Sequence, residues 1–594
     1  MTDEFPPNTR IDRNALAVLA SLPVFNDLDP GTLVAVADQL EWFCLPSGEV
    51  LFEQGAAADS LYAVTSGALG AYRSDAEGRV KLIGRIQRGE TVGEGALLSG
   101  ALRTATVKSI RDTELVRFSK DAFDDLVQIY PSAMLHIARL ALQRLEQSQR
   151  SRNAQTLSRS FAVLSNGPAA DAMTFARTLS DAIGRYGKTE LFARDRARQH
   201  TSAWFNEVEA RRDYVIFVAD DSNSPWTRQC IAQADTLILL VDSRDEPRPW
   251  FSQALAGIEK AESQMVELVV QHRRRARPGT AQRWLKHCSA RKHHHVASTQ
   301  DIERLARLLT GNAVGIVLSG GGARGFAHIG VVKALREAGI PIDHCGGASI
   351  GSIIASGVAA GWRNDQLIER YRRTFVDKNP IGDYTLPLIS LSSGRRVSRL
   401  LRGEVGGVDI EDLALPFFCV SADLVTSSIV VHRSGPLWRC LRASIAIPGI
   451  LPPVFHGRQI LVDGSAANHL PVDVMRGFGR GRVIGVDVGS TSSLASCDDV
   501  DEMSVLSRFK LIRSGSAPNI LQLLLSAGSI STNRVTAANR EQSDILLTPD
   551  LKGIDMLDWK AFDRAIEAGY RSTMERIDEI NDAIQRDRRA DLYA

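Results

Sequence analysis

The stretch from Gly315 to Gly351 constrains the fold of this chain more strongly than any other part of the sequence. Its letters read GIVLSGGGARGFAHIGVVKALREAGIPIDHCGGASIG. An apolar run leads into a glycine cluster, an amphipathic segment over 327–338, a second apolar run over 342–345 and a G-x-S-x-G turn. These patterns predict strand, glycine turn, helix, strand, turn and a further helix over 350–361. Such a βαβ unit requires a parallel sheet with helices packed on it.

The serine at the centre of that turn, Ser349, is a candidate nucleophile. Gly347 and Gly351 permit the tight strand-to-helix turn of a nucleophile elbow, which holds the hydroxyl clear of the backbone. The N-terminus of the following helix favours the negative charge that develops during acyl transfer. That reaction also needs N–H donors for an oxyanion, and a glycine-rich loop can supply them. The predicted oxyanion loop consists of Gly320, Gly321, Gly322, Arg324 and Gly325, with the arginine adding charge or bracing the loop.

The same glycines also match the G-x-G-x-x-G pattern of a dinucleotide-binding fold. That fold would place an Asp or Glu about 20 residues on, at the end of the second strand. Asp343 has about this spacing, but it lies at the beginning of the predicted strand, and Ser349 occupies the turn at its end. The pattern therefore favours the oxyanion loop over the dinucleotide site.

The base that would activate Ser349 is predicted downstream, at Asp463. This aspartate ends an apolar run and precedes Gly464, so it is placed to point into a site. A carboxylate can take the serine proton directly if desolvation raises its basicity. A helix N-cap role for the serine and a turn role for the aspartate are the structural alternatives. Four histidines are alternative bases: His328, His432, His456 and His469.

A different phosphate-binding pattern lies near the N-terminus, where short apolar runs alternate with glycine turns and predict a small β-barrel or jelly roll. Within it, Glu94 and Arg103 lie nine residues apart (103 − 94 = 9). A carboxylate can accept a ribose 2′-OH, and an Arg fork and free helix N–H groups can neutralise a cyclic phosphate. The alternative is a surface ion pair in a barrel kept for packing. The candidate ligand-binding residues are Gly93, Glu94, Ala96, Arg103 and Thr104.

The region between these two patterns alternates buried strands, over 161–164, 214–219, 236–241 and 265–270, with helical segments, and this predicts a second parallel sheet. No GxxxxGK[ST] loop follows the first strand, so we expect a spacer that binds no nucleotide, with a residual nucleotide site as the alternative. The basic run at 272–277 is expected to be a solvated loop, although arginine clusters can contact anionic lipid. Three consecutive histidines at 293–295 do not converge on one ion, so no metal site is expected.

Composition excludes several other classes of protein. The seven cysteines are scattered without a CxxC pair, which fits a reducing cytosol and no disulfide framework. The net charge of +2 gives no reason to expect nucleic acid as a partner. No signal peptide is expected, and no window approaches roughly 18 uninterrupted apolar residues, so any membrane contact is expected to be peripheral.

Three motifs in chain order, GGGARG, GASIG and DGS, resemble those of the patatin-like phospholipases. Segments 444–453 and 468–471 resemble that family's sequence around its aspartate. The resemblance implies a Ser349–Asp463 dyad that acts without a histidine, an oxyanion loop at 320–322 and no cofactor for catalysis. The third motif departs from the family in Ser465, where Ala or Gly is common.

Segment 93–107 resembles the phosphate-binding cassette of cyclic-nucleotide-binding domains. This implies cAMP or cGMP as a regulatory ligand, and Thr104 resembles the residue of cGMP-preferring members. Leu102 departs from the family, which often has Pro there. The order of the three regions resembles a shortened bacterial relative of neuropathy target esterase, with one nucleotide domain and without that protein's membrane anchor.

We therefore predict a multidomain α/β protein. An N-terminal β-jelly-roll of the cyclic-nucleotide-binding type with its exit helix (20–150) precedes a central Rossmann-like α/β spacer (158–305) and a C-terminal patatin-like α/β hydrolase domain (310–594, motif core 315–475). The expected function is hydrolysis of fatty acyl esters of phospholipids or lysophospholipids, regulated by cyclic nucleotide. The expected location is the cytoplasm, with peripheral contact at the inner face of the cell membrane. The alternative function is a cyclic-nucleotide sensor whose hydrolase-like domain is a non-catalytic scaffold.

Overall fold

The structure is a computed structural model in which the chain divides into two compact units. The first unit contains residues 1–271 and 285–292, and the second contains residues 272–284 and 293–594. The described residues are 31, 37, 39–74, 80–95, 100–122, 125, 158–166, 170–194, 208, 211–220, 224–246, 265–273, 278–288, 290, 292–386, 388–489 and 532–585.

The strands and helices are labelled in chain order. The strands are β1 (Glu41–Leu45), β2 (Val50–Phe52), β3 (Ser60–Ser66), β4 (Ala68–Ser74), β5 (Val80–Gln87), β6 (Thr91–Val92), β7 (Thr106–Ser109), β8 (Thr113–Ser119), β9 (Ser160–Ser165), β10 (Thr189–Phe192), β11 (Tyr214–Val218), β12 (Thr236–Asp242), β13 (Met265–Gln271), β14 (Lys292–Val296), β15 (Ala313–Leu318), β16 (His344–Ala348), β17 (Phe417–Asp423), β18 (Ser428–His432), β19 (Val454–His456), β20 (Gln459–Asp463), β21 (Gly481–Val486) and β22 (Ile545–Leu547). The α-helices are α1 (Ala172–Ile183), α2 (Pro225–Gln233), α3 (Thr280–Leu285), α4 (Thr299–Thr310), α5 (Ala327–Glu337), α6 (Ile350–Ala359), α7 (Asn364–Tyr371), α8 (Arg395–Val405), α9 (Leu437–Ser444), α10 (Val472–Arg476), α11 (Thr532–Glu541), α12 (Phe562–Met574) and α13 (Ile577–Gln585). Short 3₁₀ helices cover Gly322–Phe326, Ile410–Asp412, Gly464–Ala466 and Trp559–Ala561, and a π-helix covers Arg372–Asp377.

The first unit begins with two four-stranded antiparallel sheets, in the orders β1-β8-β3-β6 and β2-β7-β4-β5. Both sheets contribute to one apolar core, formed by Leu45, Tyr62, Val64, Leu69, Ile86, Val92, Val107 and Leu115. Gly67 allows the turn from β3 into β4, because its φ is +94° and a Cβ there would lie 2.5 Å from the hydroxyl of Thr113. The glycine-punctuated strands therefore form the predicted jelly roll.

The first unit continues with a parallel sheet in which the strand order is β10-β11-β9-β12-β13. Every residue of β9, β11 and β12 is buried, as expected for strands covered on both faces. The sequence Gly187-Lys188-Thr189 matches the last three residues of a GxxxxGK[ST] loop, but it leads into β10, and the Lys188 N–H donates to Asp213 Oδ2 at 2.8 Å. This fragment is therefore part of a strand entry rather than a phosphate loop after β9.

The second unit is built on a mixed sheet in the order β19-β20-β17-β16-β15-β21-β22, with β18 paired to β17. β15 runs parallel to both β16 and β21, so their carboxyl ends lie at one edge of the sheet. Ser319, Ser349 and Asp487 follow these three strands at that edge. β20 runs antiparallel to β17 and places Asp463 opposite Ser421. The topology thus brings Asp463 toward the edge where the nucleophile elbow lies.

Glycines allow two helices to pack closely beside this edge. A Cβ on Gly330 of α5 would lie 1.9 Å from the carbonyl oxygen of Ile566, and a Cβ on Gly569 of α12 would lie 2.0 Å from that of Ala327. The two backbones therefore touch where side chains would hold them apart. This contact fixes α5, which follows directly after the glycine loop.

Three expectations differ from the structure or lie outside it. The amphipathic pattern over 563–589 predicts one closing helix, whereas the structure has two helices there, α12 and α13. β16 continues through Gly346 and Gly347 to Ala348 instead of ending at Cys345. The predicted exit helix at 132–153 lies outside the described residues. None of the helices in the described parts of the chain has the length and apolar character that a bilayer-spanning segment needs.

Candidate active site

The nucleophile elbow has the strained backbone that its motif predicts. Ser349 stands between β16 and α6 with φ 52° and ψ −129°, a conformation that side chains rarely adopt. Both flanking glycines are required by close contacts, because a Cβ on Gly347 or Gly351 would lie 2.4 or 2.2 Å from the carbonyl oxygen of Leu318. The elbow is therefore pressed against the end of β15, and its hydroxyl projects from the sheet edge.

A direct hydrogen bond joins the two predicted catalytic side chains. Ser349 Oγ donates to Asp463 Oδ2 at 2.7 Å. Only 6% of Ser349 and 5% of Asp463 is exposed. Burial raises the pKa of Asp463, and hydrogen bonds from Ser349 and Ser465 oppose that rise. A desolvated carboxylate at this distance can accept the serine proton without an intermediary.

Three of the four histidines that could replace Asp463 have other partners, and the fourth is exposed. His328 Nε2 lies 2.9 Å from the carbonyl oxygen of Ser319, and burial lowers its pKa to about 4. His432 Nε2 lies 2.7 Å from Ser421 Oγ, and His469 Nε2 lies 3.5 Å from Asp487 Oδ1. His456 is exposed on β19. Among the described residues, none of these histidines hydrogen-bonds to Ser349.

The glycine loop lies directly beside the nucleophile. A Cβ on Gly320 would lie 3.3 Å from that of Ser349, so the loop and the elbow are in contact. The Gly320 N–H donates to the carbonyl oxygen of His469 at 3.2 Å, which occupies that donor. Within the described residues, the N–H groups of Gly321 and Gly322 donate to no other group, and both glycines have positive φ (+153° and +58°). Gly321 and Gly322 therefore retain the donors that an oxyanion needs.

The other two members of the predicted oxyanion loop have supporting contacts. Arg324 Nη2 donates to the carbonyl oxygen of Gly489 at 3.1 Å, which ties the loop to the segment after β21. Burial lowers the pKa of Arg324. A Cβ on Gly325 would lie 2.3 Å from Ile350, so this glycine allows the loop to approach the start of α6. The Arg324 contact joins the loop to residue 489, and the role of Arg324 in an oxyanion site stays a prediction.

Residues without a role in the sequence interpretation also support the site. Ser444 Oγ accepts the backbone N–H of Ser349 at 3.1 Å and is completely buried. Burial raises the pKa of Asp487, but His469 and Arg540 outweigh burial and hold that pKa well below its usual range. Asp487 follows a buried parallel strand, which is a signal that sequence reasoning can use. The Ser444 contact spans 95 residues and has no local signal.

The predicted nucleotide-binding residues lie in the jelly roll of the first unit. Arg103 is buried, and its guanidinium donates to the carbonyl oxygens of Ser60 at 2.7 Å and Gly93 at 3.2 Å. Its carbon Cζ lies 4.2 Å from the ring centroid of Phe52, and burial lowers its pKa. Glu94, which follows Gly93 in the chain, is buried, and Thr104 is exposed. Ala96 lies outside the described residues.

Comparison with known proteins bears on all three regions. The model of patatin-like phospholipase matches residues 316–476, and that of the cyclic nucleotide-binding domain matches residues 43–130. The model of the neuropathy target esterase (NTE) family P-loop like domain matches residues 178–309. An uncharacterized NTE family protein of Mycobacterium tuberculosis (strain ATCC 25618 / H37Rv) is 32% identical over 573 residues, which cover 94% of this chain and 95% of the relative.

The chain belongs to the NTE family. Its fold class is confirmed, with a cyclic nucleotide-binding jelly roll before a patatin-like α/β domain. Lysophospholipase nte1 of Aspergillus fumigatus is 28% identical over 672 residues, which cover 95% of this chain and 44% of that relative. Among solved structures, a cyclic nucleotide-binding domain from Methylobacillus flagellatus is 18% identical, with a TM-score of 0.21, and the match covers 23% of this chain and 78% of that one.

The enzyme class follows from these matches. The patatin-like phospholipase match includes both Ser349 and Asp463. This NTE family member is a lipid ester hydrolase.

Proposed function

We propose that this NTE family protein hydrolyses fatty acyl esters of phospholipids or lysophospholipids through an acyl-enzyme on Ser349. The observation that carries the proposal is the 2.7 Å hydrogen bond from Ser349 Oγ to the buried carboxylate of Asp463. A strained elbow lies at this pair, and beside it lies the glycine loop, in which the Gly321 and Gly322 N–H groups donate to no other group among the described residues. These are the nucleophile, the base and the oxyanion donors that acyl transfer requires.

In the first half-reaction, Ser349 Oγ attacks the ester carbonyl carbon while its proton passes to Asp463. The carbonyl oxygen becomes an oxyanion, which the Gly321 and Gly322 N–H groups stabilise. When the carbonyl re-forms, the ester C–O bond breaks, and the leaving alcohol takes the proton from Asp463. The products are the acyl-enzyme and the deacylated lipid.

In the second half-reaction, water attacks the acyl-enzyme and Asp463 accepts the water proton. The tetrahedral intermediate again carries a negatively charged oxygen, which the N–H groups of the glycine loop stabilise. Collapse returns the proton to Ser349 Oγ and releases the fatty acid. Asp463 is therefore base and acid in turn, and no cofactor takes part.

The test is release of fatty acid from lysophosphatidylcholine by the purified full-length protein. Ser349→Ala is expected to reduce release to the level without enzyme. Ser356→Ala is the matched control, because it makes the same change on α6, where the hydroxyl donates to the carbonyl oxygen of Ile353 at 2.7 Å. Turnover that survives in Ser349→Ala would contradict the proposal.

We further propose that cAMP or cGMP binds the jelly roll and regulates hydrolysis. The cyclic nucleotide-binding match and the Glu94–Arg103 spacing support binding. A bound cyclic phosphate would compete with the Ser60 and Gly93 carbonyl oxygens for the Arg103 guanidinium. Calorimetry with each nucleotide tests binding, and Arg103→Ala is expected to abolish it.

Regulation is tested by adding saturating nucleotide to the hydrolysis assay. We propose that the ligand acts through the 132–153 segment and changes access to Ser349. Unchanged kinetics with verified binding would contradict regulation. Nucleotide binding by a protein that releases no fatty acid from any lipid would support the alternative, a sensor with a non-catalytic scaffold.

A further inference from the structure

An arginine-rich groove lies in the second unit between α8 and α9. Its volume is about 610 Å³. The described residues of its lining include no acidic side chain. The residues that define this arginine groove are Arg395, Arg399, Arg402, Trp438, Arg439 and Arg442. Within the described residues, none of the five arginines forms an ion pair with a carboxylate. The groove therefore concentrates positive charge, although the Asp383 carboxylate interacts with Arg442 from outside the lining.

A buried arginine, Arg442, lies at the base of the groove. Arg442 is only 5% exposed, and its Nη2 donates to the carbonyl oxygen of Pro452 at 2.9 Å. Among the residues that the structure describes, its buried Nη1 has no hydrogen-bond partner. Burial lowers the pKa of Arg442 to about 10, so the guanidinium is protonated at neutral pH. A buried cationic donor without an acceptor is costly, and an anion would satisfy it.

The other four arginines of the groove differ in their contacts. Arg402 Cζ lies 3.8 Å from the ring centroid of Trp438, which fixes α8 against α9. Arg439 Nη2 donates to the carbonyl oxygen of Phe455 at 2.9 Å. The guanidiniums of Arg395 and Arg399 donate to no group among the described residues. These two arginines are therefore available to an external anion.

An exposed apolar hairpin precedes the groove in the chain. Its defining side chains are Tyr384 (75% exposed), Leu386 (74%), Leu388 (84%), Ile389 (68%) and Leu391 (44%). Its base is closed by the Ser393 N–H, which donates to the carbonyl oxygen of Asp383 at 2.9 Å. The Asp383 carboxylate also accepts the Arg396 N–H at 3.0 Å. The hairpin is therefore a formed element whose apolar side chains are held in water, which is unfavourable unless they are buried elsewhere.

The hairpin and the groove are attached to the segment 437–452, which also contacts the backbone of the nucleophile. The Leu391 N–H donates to the carbonyl oxygen of Gly449 at 2.9 Å, and this segment continues into Pro452 in the groove wall. α9 carries three groove residues, and its last residue, Ser444, accepts the Ser349 N–H. Whatever binds this face is therefore bound next to the elements that form the catalytic site.

We propose that the arginine groove and the apolar hairpin form one face that binds the surface of a bilayer containing anionic phospholipid. The groove takes the lipid phosphates, and the hairpin inserts its side chains among the acyl chains. A soluble anion would use only the arginines and would leave the hairpin exposed, whereas a bilayer uses both. The inference rests on the proposed function, since it explains how a membrane lipid reaches Ser349.

The test is flotation of the full-length protein with vesicles of phosphatidylcholine alone and with vesicles that also contain phosphatidylglycerol. The protein carries Ser349→Ala, so that the vesicles are not consumed during the measurement. The double variant R395Q/R399Q is expected to lose about 30-fold in affinity for the anionic vesicles, at roughly fivefold for each cation near the surface. It should bind phosphatidylcholine vesicles as the parent protein does.

Leu388→Ser is expected to weaken binding to both kinds of vesicle by about tenfold, because one leucine no longer enters the apolar layer. Lys552→Gln is the matched control for charge, since this lysine is 93% exposed and lies outside the groove. It should leave both affinities unchanged. Circular dichroism checks that all variants melt as the parent does, as expected for exposed side chains.

Two results would overturn the proposal. One is anionic-vesicle binding by R395Q/R399Q or Leu388→Ser that equals the parent. The other is saturable binding of inorganic phosphate, lost in R395Q/R399Q, by a protein that does not float with vesicles; this would make the groove a site for a small soluble anion. Flotation measures binding and not turnover. A protein that does not float with vesicles would therefore leave the proposed hydrolysis unaffected, and a protein that does not hydrolyse lipid would leave the flotation result unaffected.

Discussion

Replacement of Asp463 by Asn changes the chemistry of the site while keeping its shape. The amide can still accept the hydrogen bond that Ser349 Oγ makes at 2.7 Å, but it cannot take the proton. General-base catalysis typically contributes about 10²–10⁴-fold. We therefore expect kcat/KM to fall by about 10²–10⁴-fold in Asp463→Asn, which corresponds to about 3–5 kcal/mol of transition-state stabilisation.

The pH dependence adds a second readout to the same variant. Asp463 is active as the carboxylate, and burial raises its pKa above the ordinary value of 3.8. Activity of the wild-type protein should therefore fall as the pH drops through that raised pKa, and Asp463→Asn should lack this acid limb. Initial rates with a soluble ester over a range of pH measure both effects.

Stability separates lost chemistry from a lost fold. A carboxyl group whose pKa is raised on folding destabilises the folded state as the pH rises from the unfolded pKa through the folded pKa. Asp463→Asn removes that buried charge and should melt at the same temperature as the wild type or higher at neutral pH. His469→Ala is the control, because His469 pairs with Asp487 and not with Ser349. The dyad would be refuted if Asp463→Asn stayed within tenfold of the wild type, or if His469→Ala matched its loss.

Three further predictions concern contacts that support the fold, and urea denaturation measures each of them. Gly351→Ala should strongly destabilise the protein, because its Cβ would lie 2.2 Å from a carbonyl oxygen; Gly403→Ala in α8, with nothing within 4 Å, should be neutral or stabilise by up to about 1 kcal/mol. Ser444→Ala leaves the buried N–H of the nucleophile without its acceptor and should cost about 1–3 kcal/mol. Asp235→Asn breaks a buried ion pair in which Asp235 Oδ1 lies 3.2 Å from Arg111 Nε. It should lower the free energy of unfolding by about 3–5 kcal/mol. A change near zero would contradict a stabilising role for this ion pair.

The elements around the elbow could be predicted because glycine spacing leaves few alternatives. Strand β15, helix α5 and the turn at Ser349 follow the sequence pattern closely. The end of β16 was misplaced, because Gly346 and Gly347 give no apolar signal. They belong to the strand for a packing reason: a Cβ on Gly346 would lie 2.3 Å from the ring of Phe418. Sequence periodicity contains no information on that close contact.

The side chains of the site were predictable where a strand end places them. Ser349 follows β16, and Asp463 is the last residue of β20, opposite Ser421 of β17, so their roles could be inferred from strand-end position and neighbouring glycines. The dinucleotide alternative fails because Asp343 accepts three hydrogen bonds from the Arg307 guanidinium and one from the Val314 N–H. Asp343 is therefore one partner of a buried ion pair with Arg307 and not a ribose ligand.

Features that arise from packing between distant segments could not be predicted. The arginine groove combines residues of α8 and α9, which are separated in the chain by β17 and β18. Neither helix alone indicates a groove, and the stacking of Arg402 on Trp438 is one of the contacts that bring the arginines of the two helices together. The contact between Ser444 and the Ser349 backbone is of the same kind.

The most direct test of the central claim is the site of covalent reaction with a fluorophosphonate. Such a probe phosphonylates an activated serine, and peptide mass spectrometry locates the adduct. The proposed mechanism predicts one adduct on the peptide that contains Ser349, lost in Ser349→Ala and formed much more slowly in Asp463→Asn. An unmodified Ser349 peptide in a protein that hydrolyses lipid, or an adduct that forms at the wild-type rate in Asp463→Asn, would contradict it.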